Sequence, residues 1–428
     1  MTGLADLKKG AAWEYRMHRA LFASGWYVRP NVDLRERVAG SPQTMAEVDL
    51  LGLSFDAGLN ARLLVGECKD RKGSTKEADR VIWLLGLGEL LGVDELLFAK
   101  PSIASATVHF AGSTSVALHD EAAVLRIEAA LAAPLLAGTF DPAVREDHVR
   151  PAVDRTVLGD SRLREAYDWI HNASWYEEPL ARLRRLPGYF RLVTSESSGS
   201  TREVLMIEGL LAVLACGLQV AGQLRRHAPQ VGRALASEGL ASGAASASAL
   251  REIGARADEY YRDVFERLTE ATGGARIMID VPRLADNIAP PPRWADGFFS
   301  FAESLGGRPE AATDVLRFAE LELFESFAGR DPEQALRTYV RGDHGWLATA
   351  LASAGGFCQR YWSIEDALLQ RLAAGTPIRS KNSAADMPAA DTDRATMPAT
   401  DAPEASDKDG TTSSDESLAS RQASLLDE

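Results

Sequence analysis

Two acids and a lysine, placed on what read as neighbouring strands, set the chemistry this chain offers. The apolar segment Leu63-Leu64-Val65-Gly66-Glu67-Cys68-Lys69 ends in Glu-x-Lys, and Asp49 lies 18 residues before Glu67 in the run Ala46-Glu47-Val48-Asp49-Leu50-Leu51. Strand alternation puts residues two apart on one face, so Glu67 and Lys69 point together while Cys68 turns to the packed side. If the two strands pair, the Asp49 carboxylate approaches that of Glu67, and such a half-buried pair needs a proton or a divalent cation. Oxygen donors with retained water suit Mg²⁺ or Mn²⁺. Such an ion polarises a phosphate and acidifies a bound water. Lys69 would hold that water and stabilise the charge growing on the phosphate oxygens. A third acid, Glu14, shares a helical face with Met17 and Leu21, where it would bind a second ion or a metal-bound water. The expected reaction is metal-dependent phosphodiester hydrolysis.

The elements that must position these groups follow from apolar period and breakers. A helix is expected over 9–24, stopped by Gly25, then an extended stretch over 26–38 whose Pro30 suits a sheet edge. Strands are expected over 44–53 and 63–69, a helix over 75–91, a strand over 95–100, a helix over 103–111, a strand over 115–118 and a helix over 120–136. Beyond about residue 140 the spacing becomes helical: 161–171, 177–185, 202–226, 247–272, 311–327, 331–341 and 363–374, with one strand-like run at 189–194 and a loop at 239–249. The apolar stretch 209–222 reads as a buried helix, being short for a membrane span and containing Gln219.

Composition narrows the class. The chain has 428 residues, 46% hydrophobic and 25% charged, which fits two soluble domains and a tail. Its formal net charge of −14 disfavours coating of nucleic acid by bulk electrostatics. The charge is uneven: residues 376–428 carry 11 acids and 5 bases, residues 1–135 carry 17 and 15, so any nucleic-acid contact in the first region is local. The three cysteines lack partner spacing for zinc or a disulfide framework and fit a reducing cytoplasm, as the absence of an apolar leader does. Arginines number 39 and lysines 8, a bias like that of GC-rich bacterial genomes, and six of the lysines fall in the first 100 residues. Lysine at 69 therefore stands out from background. The basic cluster Arg71, Lys72 and Lys76 beside it offers contacts to phosphates, or a solvated loop. Arg182, Arg184 and Arg185, near Tyr189 and Phe190, form a weaker nucleic-acid candidate against a solvated helix face.

With these residues in place, the chain resembles the PD-(D/E)xK nuclease superfamily, particularly Mrr-like restriction endonucleases and archaeal Holliday-junction resolvases. The resemblance rests on Gly10-Ala11-Ala12-Trp13-Glu14, Glu47-Val48-Asp49-Leu50-Leu51 and Glu67-Cys68-Lys69. It implies a restriction-endonuclease-like α/β domain over 1–138, a mixed sheet flanked by helices. A mostly α-helical recognition, oligomerisation or regulatory domain is then expected over 139–375, and a disordered acidic tail over 376–428. It also implies Asp49 and Glu67 as metal ligands with the Cys68 carbonyl, Lys69 as the catalytic lysine, Glu14 as the accessory acid, and Mg²⁺ or Mn²⁺ as cofactor. The implied protein is a DNA endonuclease of restriction or phage defence, possessing no membrane partner and able to self-associate through its helices. Val48 stands where the motif has proline, and Asp79-Arg80 with Trp83 occupy the stretch where a glutamine is often found. An inactive nuclease fold that binds nucleic acid or protein, or a nuclease for RNA, is the alternative.

Overall fold

Apolar residues four apart, Trp13, Met17 and Leu21, bury one side of α1 (Ala11–Ala23), and Gly25 ends it at a φ of +104° that suits glycine. Three strands follow, β1 (Tyr27–Val38), β2 (Ser41–Phe55) and β3 (Ala61–Cys68), as an antiparallel meander. Helices α2 (Glu77–Leu91) and α3 (Ser105–Ala111) carry the chain over to β4 (Glu95–Ala99) and β5 (Val116–His119), both parallel to β3, and α4 (Glu121–Ala130) comes next. The sheet order is β1-β2-β3-β4-β5. Pro30 therefore lies on an edge strand, where its missing N–H breaks no interior ladder.

This is a computed structural model, and it describes residues 11–38, 41–70, 76–130, 149–154, 158–242, 247–271 and 291–374. The chain divides into two compact units, Met1–Ser383 and Ala384–Glu428, and every described residue belongs to the first. The expected acidic tail, and Arg71 and Lys72, lie outside the described residues.

Both faces of the sheet are covered, which is why β3 and β4 are nearly continuous apolar runs. On one face Trp13, Met17, Leu21 and Val124 of α1 and α4 pack on Val28, Leu50, Leu64, Cys68 and Leu97. On the other, Tyr27, Leu51, Val65 and Phe98 join a core that continues into the helices after residue 149. Those helices surround one long central helix, Gly199–Arg225. It is long and apolar enough to cross a membrane by length and composition, yet 94% of its most apolar stretch is buried inside the protein. It is the axis of a helical core.

Two expectations for the helical region are corrected. The strand-like run 189–194 lies inside a helix, Pro179–Glu196. Its β-branched and aromatic residues belong to a helical stripe, Leu183, Leu186, Tyr189, Phe190 and Val193, all buried, and that tertiary burial overrides local strand preference. Both ends of the expected loop 239–249 are likewise helical, as the end of Pro229–Ser242 and the start of Ala247–Ala271. Arg182 and Arg185 form no free basic patch. Arg182 is fully buried and donates to Gln219, and Arg185 pairs with Glu177 over the Trp169 ring.

The helices grip the sheet along its β1 edge. Arg29 is 1% exposed, and its guanidinium meets Glu208 of the central helix at 2.7 Å, His171 Nδ1 at 2.9 Å and the Trp175 ring face at 5.0 Å. Burial works against the Arg29 charge, but Glu208 together with Tyr27 and Glu320 outweighs it and holds the group firmly cationic. The N–H groups of Asp33 and Arg35 donate to Asn172 Oδ1 and the Tyr176 hydroxyl, both at 2.9 Å, so the open edge of β1 is satisfied by side chains. At the far end, Gly222 lets the β2–β3 loop touch the central helix: a Cβ there would stand 2.1 Å from the Leu59 carbonyl oxygen.

Glu208→Ala should lower unfolding stability by about 3–5 kcal/mol, because it leaves Arg29 buried without the carboxylate that directly pairs with it. Arg29→Met combined with Glu208→Leu removes both charges and should recover most of that loss. Urea denaturation of the three proteins measures it, and a single variant as stable as wild type would refute the account.

Candidate active site

Asp49 sits where two ladders part. The β2–β3 pairing ends at Leu50 with Gly66, and β3 then continues against β4 alone, Glu67 with Phe98 and Cys68 with Ala99. On the other side of β2, pairing steps from Pro30–Leu50 to Val32–Val48, and Asn31 between them takes a left-handed φ of 53°. A further irregularity between Leu34 and Arg35 leaves Met45 as an extra residue on β2, 61% exposed. The strands thus splay just where the Asp49 and Glu67 side chains emerge.

Backbone and side chain close the opening differently. The Cys68 N–H donates to Asp49 Oδ2 at 2.6 Å, fixing the carboxylate across the gap. The Lys69 N–H donates to the Ala99 carbonyl at 2.9 Å, extending the β3–β4 ladder by one residue and aiming the lysine back into the site. Its Nζ lies 2.8 Å from Glu67 Oε1 and 3.2 Å from Asp49 Oδ2. One ammonium therefore bridges both carboxylates. Arg80 of α2 approaches Glu67 Oε1 from another direction at 3.6 Å.

The electrostatics follow from this crowding. Glu67 is 2% exposed; burial, then the Asp49 charge, raises its carboxyl, opposed by Lys69 and Arg80. Burial pulls the Lys69 ammonium down, but its bond to Glu67 and the Asp49 charge outweigh that and raise it, so it stays charged. The Cys68 thiol is buried and pushed well up by burial and by Asp49, so it remains a neutral thiol and only its carbonyl is available as a donor. Glu14, partly buried on α1, is raised to about 7 by burial, then by Asp49, with Glu47 and Asp70 adding and Lys69 opposing. Arg16 on the same helix fixes α1 by bonding Glu128 of α4 through two contacts of 2.7 Å and Glu121 as well. Glu14 thus reaches the site through its field.

The structure brings Asp49, Glu67 and Lys69 into direct contact and places Glu14 beside them. Lys76 is the exposed residue before α2, at a left-handed φ of 80°. Arg80 was not assigned from sequence, and its only signal there was its place on the helix after Lys69. Among the described residues, no three His, Cys, Asp or Glu side chains already form a metal-binding group. What Asp49 and Glu67 offer a cation is a pair of carboxylates, now shared by an ammonium.

The Glu14 carboxyl binds its proton more tightly in the folded protein than the ordinary value of 4.5 allows. The stability this contributes is full below that value and is lost as pH rises through about 7. Glu14→Gln, neutral throughout, should match wild type in acid and melt at a higher temperature than wild type at about pH 8 without divalent ions. A gap that fails to widen with pH, followed by scanning calorimetry, would exclude the assignment. No family model, curated protein or solved structure matches this chain.

Proposed function

We propose that the Asp49–Glu67–Lys69 site is the centre of a Mg²⁺-dependent nuclease of the PD-(D/E)xK type that hydrolyses phosphodiester bonds in DNA. The observation that carries this reading is the one ammonium within ion-pair reach of two carboxylates at the splayed end of β2 and β3. The element order, helix, three antiparallel strands, helix and a parallel strand, supports a restriction-endonuclease-like core. Placement in restriction or phage defence rests on the resemblance alone.

The residues fit the ion. Mg²⁺ needs only one or two protein carboxylates, completing its shell with water and substrate phosphate, and Asp49 and Glu67 with the Cys68 carbonyl supply that set. When bound, the ion supplies Lewis-acid polarisation of the phosphate and a more acidic water. Asp49 would stay oriented by the Cys68 N–H. Lys69, displaced from between the carboxylates, would turn its three N–H donors to the attacking water and the phosphate oxygens, where its positive charge offsets the charge that develops. Glu14, with a carboxyl raised to about 7, can take up or release a proton near neutral pH.

The same ammonium favours one alternative, a non-catalytic binding module whose acidic site is permanently neutralised by Lys69. Purified protein incubated with DNA and RNA in Mg²⁺ or Mn²⁺ separates the two. Asp49→Asn and Lys69→Ala should each lower cleavage by at least about 10²-fold while leaving the fold, followed by circular dichroism, intact. Calorimetric Mn²⁺ titration should show binding that Asp49→Asn weakens. Cleavage that survives both substitutions, or no Mn²⁺ binding by the wild type, defeats the nuclease reading.

A further inference from the structure

We propose that Arg80 is an anion-binding residue of this site, holding a backbone phosphate of the nucleic-acid strand next to the one attacked. The inference rests on the nuclease reading and adds a substrate contact to it. Arg80 ends the first turn of α2, and its backbone N–H is bonded to the carbonyl of Lys76, the exposed residue just before the helix. Its guanidinium contacts Glu67 Oε1 at 3.6 Å, lies 5.9 Å from the centre of the Trp83 ring, and its side chain is 49% exposed.

Two features separate this arginine from a surface charge. First, the turn that carries it is locked. Glu77 is buried and accepts from the Lys100 ammonium, from the Ala104 N–H at 3.0 Å and from the Thr107 hydroxyl at 2.9 Å, tying the start of α2 to the end of β4 and to α3. The backbone at Arg80, three residues later, is thereby fixed beside the site, and its guanidinium reaches Glu67 from there. Second, it faces a carboxylate that already has a closer cation. Lys69 is 2.8 Å from the same Glu67 oxygen. A guanidinium has five N–H donors in a rigid fork, and one long contact leaves several of them at the solvent side. That is the geometry for a phosphate.

The charge balance points the same way. Glu14, Glu47, Asp49, Glu67 and Asp70 all act on this small volume. A polyanion approaching it meets net repulsion unless cations stand on the approach side. Lys69 lies between the two carboxylates, directed at the attacked phosphate alone, while Arg80 lies outside them on the helix that follows Lys76. The chemistry recognised is a phosphodiester anion common to DNA and RNA.

The test is equilibrium binding of labelled duplex DNA, and in parallel duplex RNA, in Ca²⁺ in place of Mg²⁺ to hold off cleavage, over a series of salt concentrations. Arg80→Ala should weaken binding about tenfold or more. It should also reduce the slope of log affinity against log salt by about 0.9, the signature of one lost phosphate contact on duplex DNA. Arg80→Lys should keep the slope and bind less tightly, having the charge without the fork. Mn²⁺ affinity by calorimetry should stay within a few-fold of wild type. An Arg80→Ala protein with unchanged slope and altered Mn²⁺ binding would make Arg80 a brace for Glu67 and overturn the proposal. A wild type that binds neither polymer fails the nuclease reading itself, and Arg80 with it.

Discussion

A guanidinium buried without water must be paired, and the pairing of Arg29 determines how the two halves of this protein meet. Its partners, Glu208, His171 and the Trp175 ring, come from the central helix, from the helix Ser161–His171 and from the short turn after it. Each of these is therefore held to the β1 edge. The Asn172 and Tyr176 contacts to Asp33 and Arg35 continue the grip along the strand, and they remove the unpaired edge that would otherwise invite another chain. A single core runs from one face of the sheet, through Tyr27, Leu51, Val65 and Phe98, into the helices. The charge pair is worth little by itself, since desolvation offsets most of its attraction. Its effect is on specificity: any other docking of helices on β1 would strand the arginine.

The same strand reaches the candidate site. Arg29 is followed by Pro30, which cannot donate to a ladder, and by Asn31 in a left-handed conformation, opposite Asp49. The β2–β3 ladder ends at Leu50 with Gly66, so the Cys68 N–H, which faces β2, is left to the Asp49 carboxylate. The interruption on one side and the end of the β3 ladder on the other let it turn toward the Cys68 N–H and Lys69. Anchoring β1 through Arg29 keeps this irregular stretch in register.

Much of this was legible in the sequence where period and breakers were local. Alternation gave Glu67 and Lys69 one face, and the meander of β1, β2 and β3 put Asp49 beside them. The run 189–194 was misleading because its residue types favour strands while its burial has helical spacing, and burial decides. Contacts that depend on how elements cross were out of reach. Arg29 and Glu208 are 179 residues apart, and no local pattern couples them. Arg80 meets Glu67 only because Glu77, 23 residues from Lys100, fixes where α2 begins.

An acid-rich site carries a consequence for order of events in the proposed reaction. With Lys69 bridging Asp49 and Glu67, the carboxylates are neutralised well enough to stay folded together, but the lysine is unavailable to a substrate. A divalent ion is the stronger partner for two carboxylates in a half-buried site, since it satisfies both charges at once. With an ion held by Asp49, Glu67 and the Cys68 carbonyl, the Lys69 ammonium would be released to donate to the attacking water and the phosphate oxygens. Metal binding and substrate attraction would thus be coupled through one side chain. In that arrangement Lys69 would neutralise the carboxylates while no ion is held and would serve the substrate once one is.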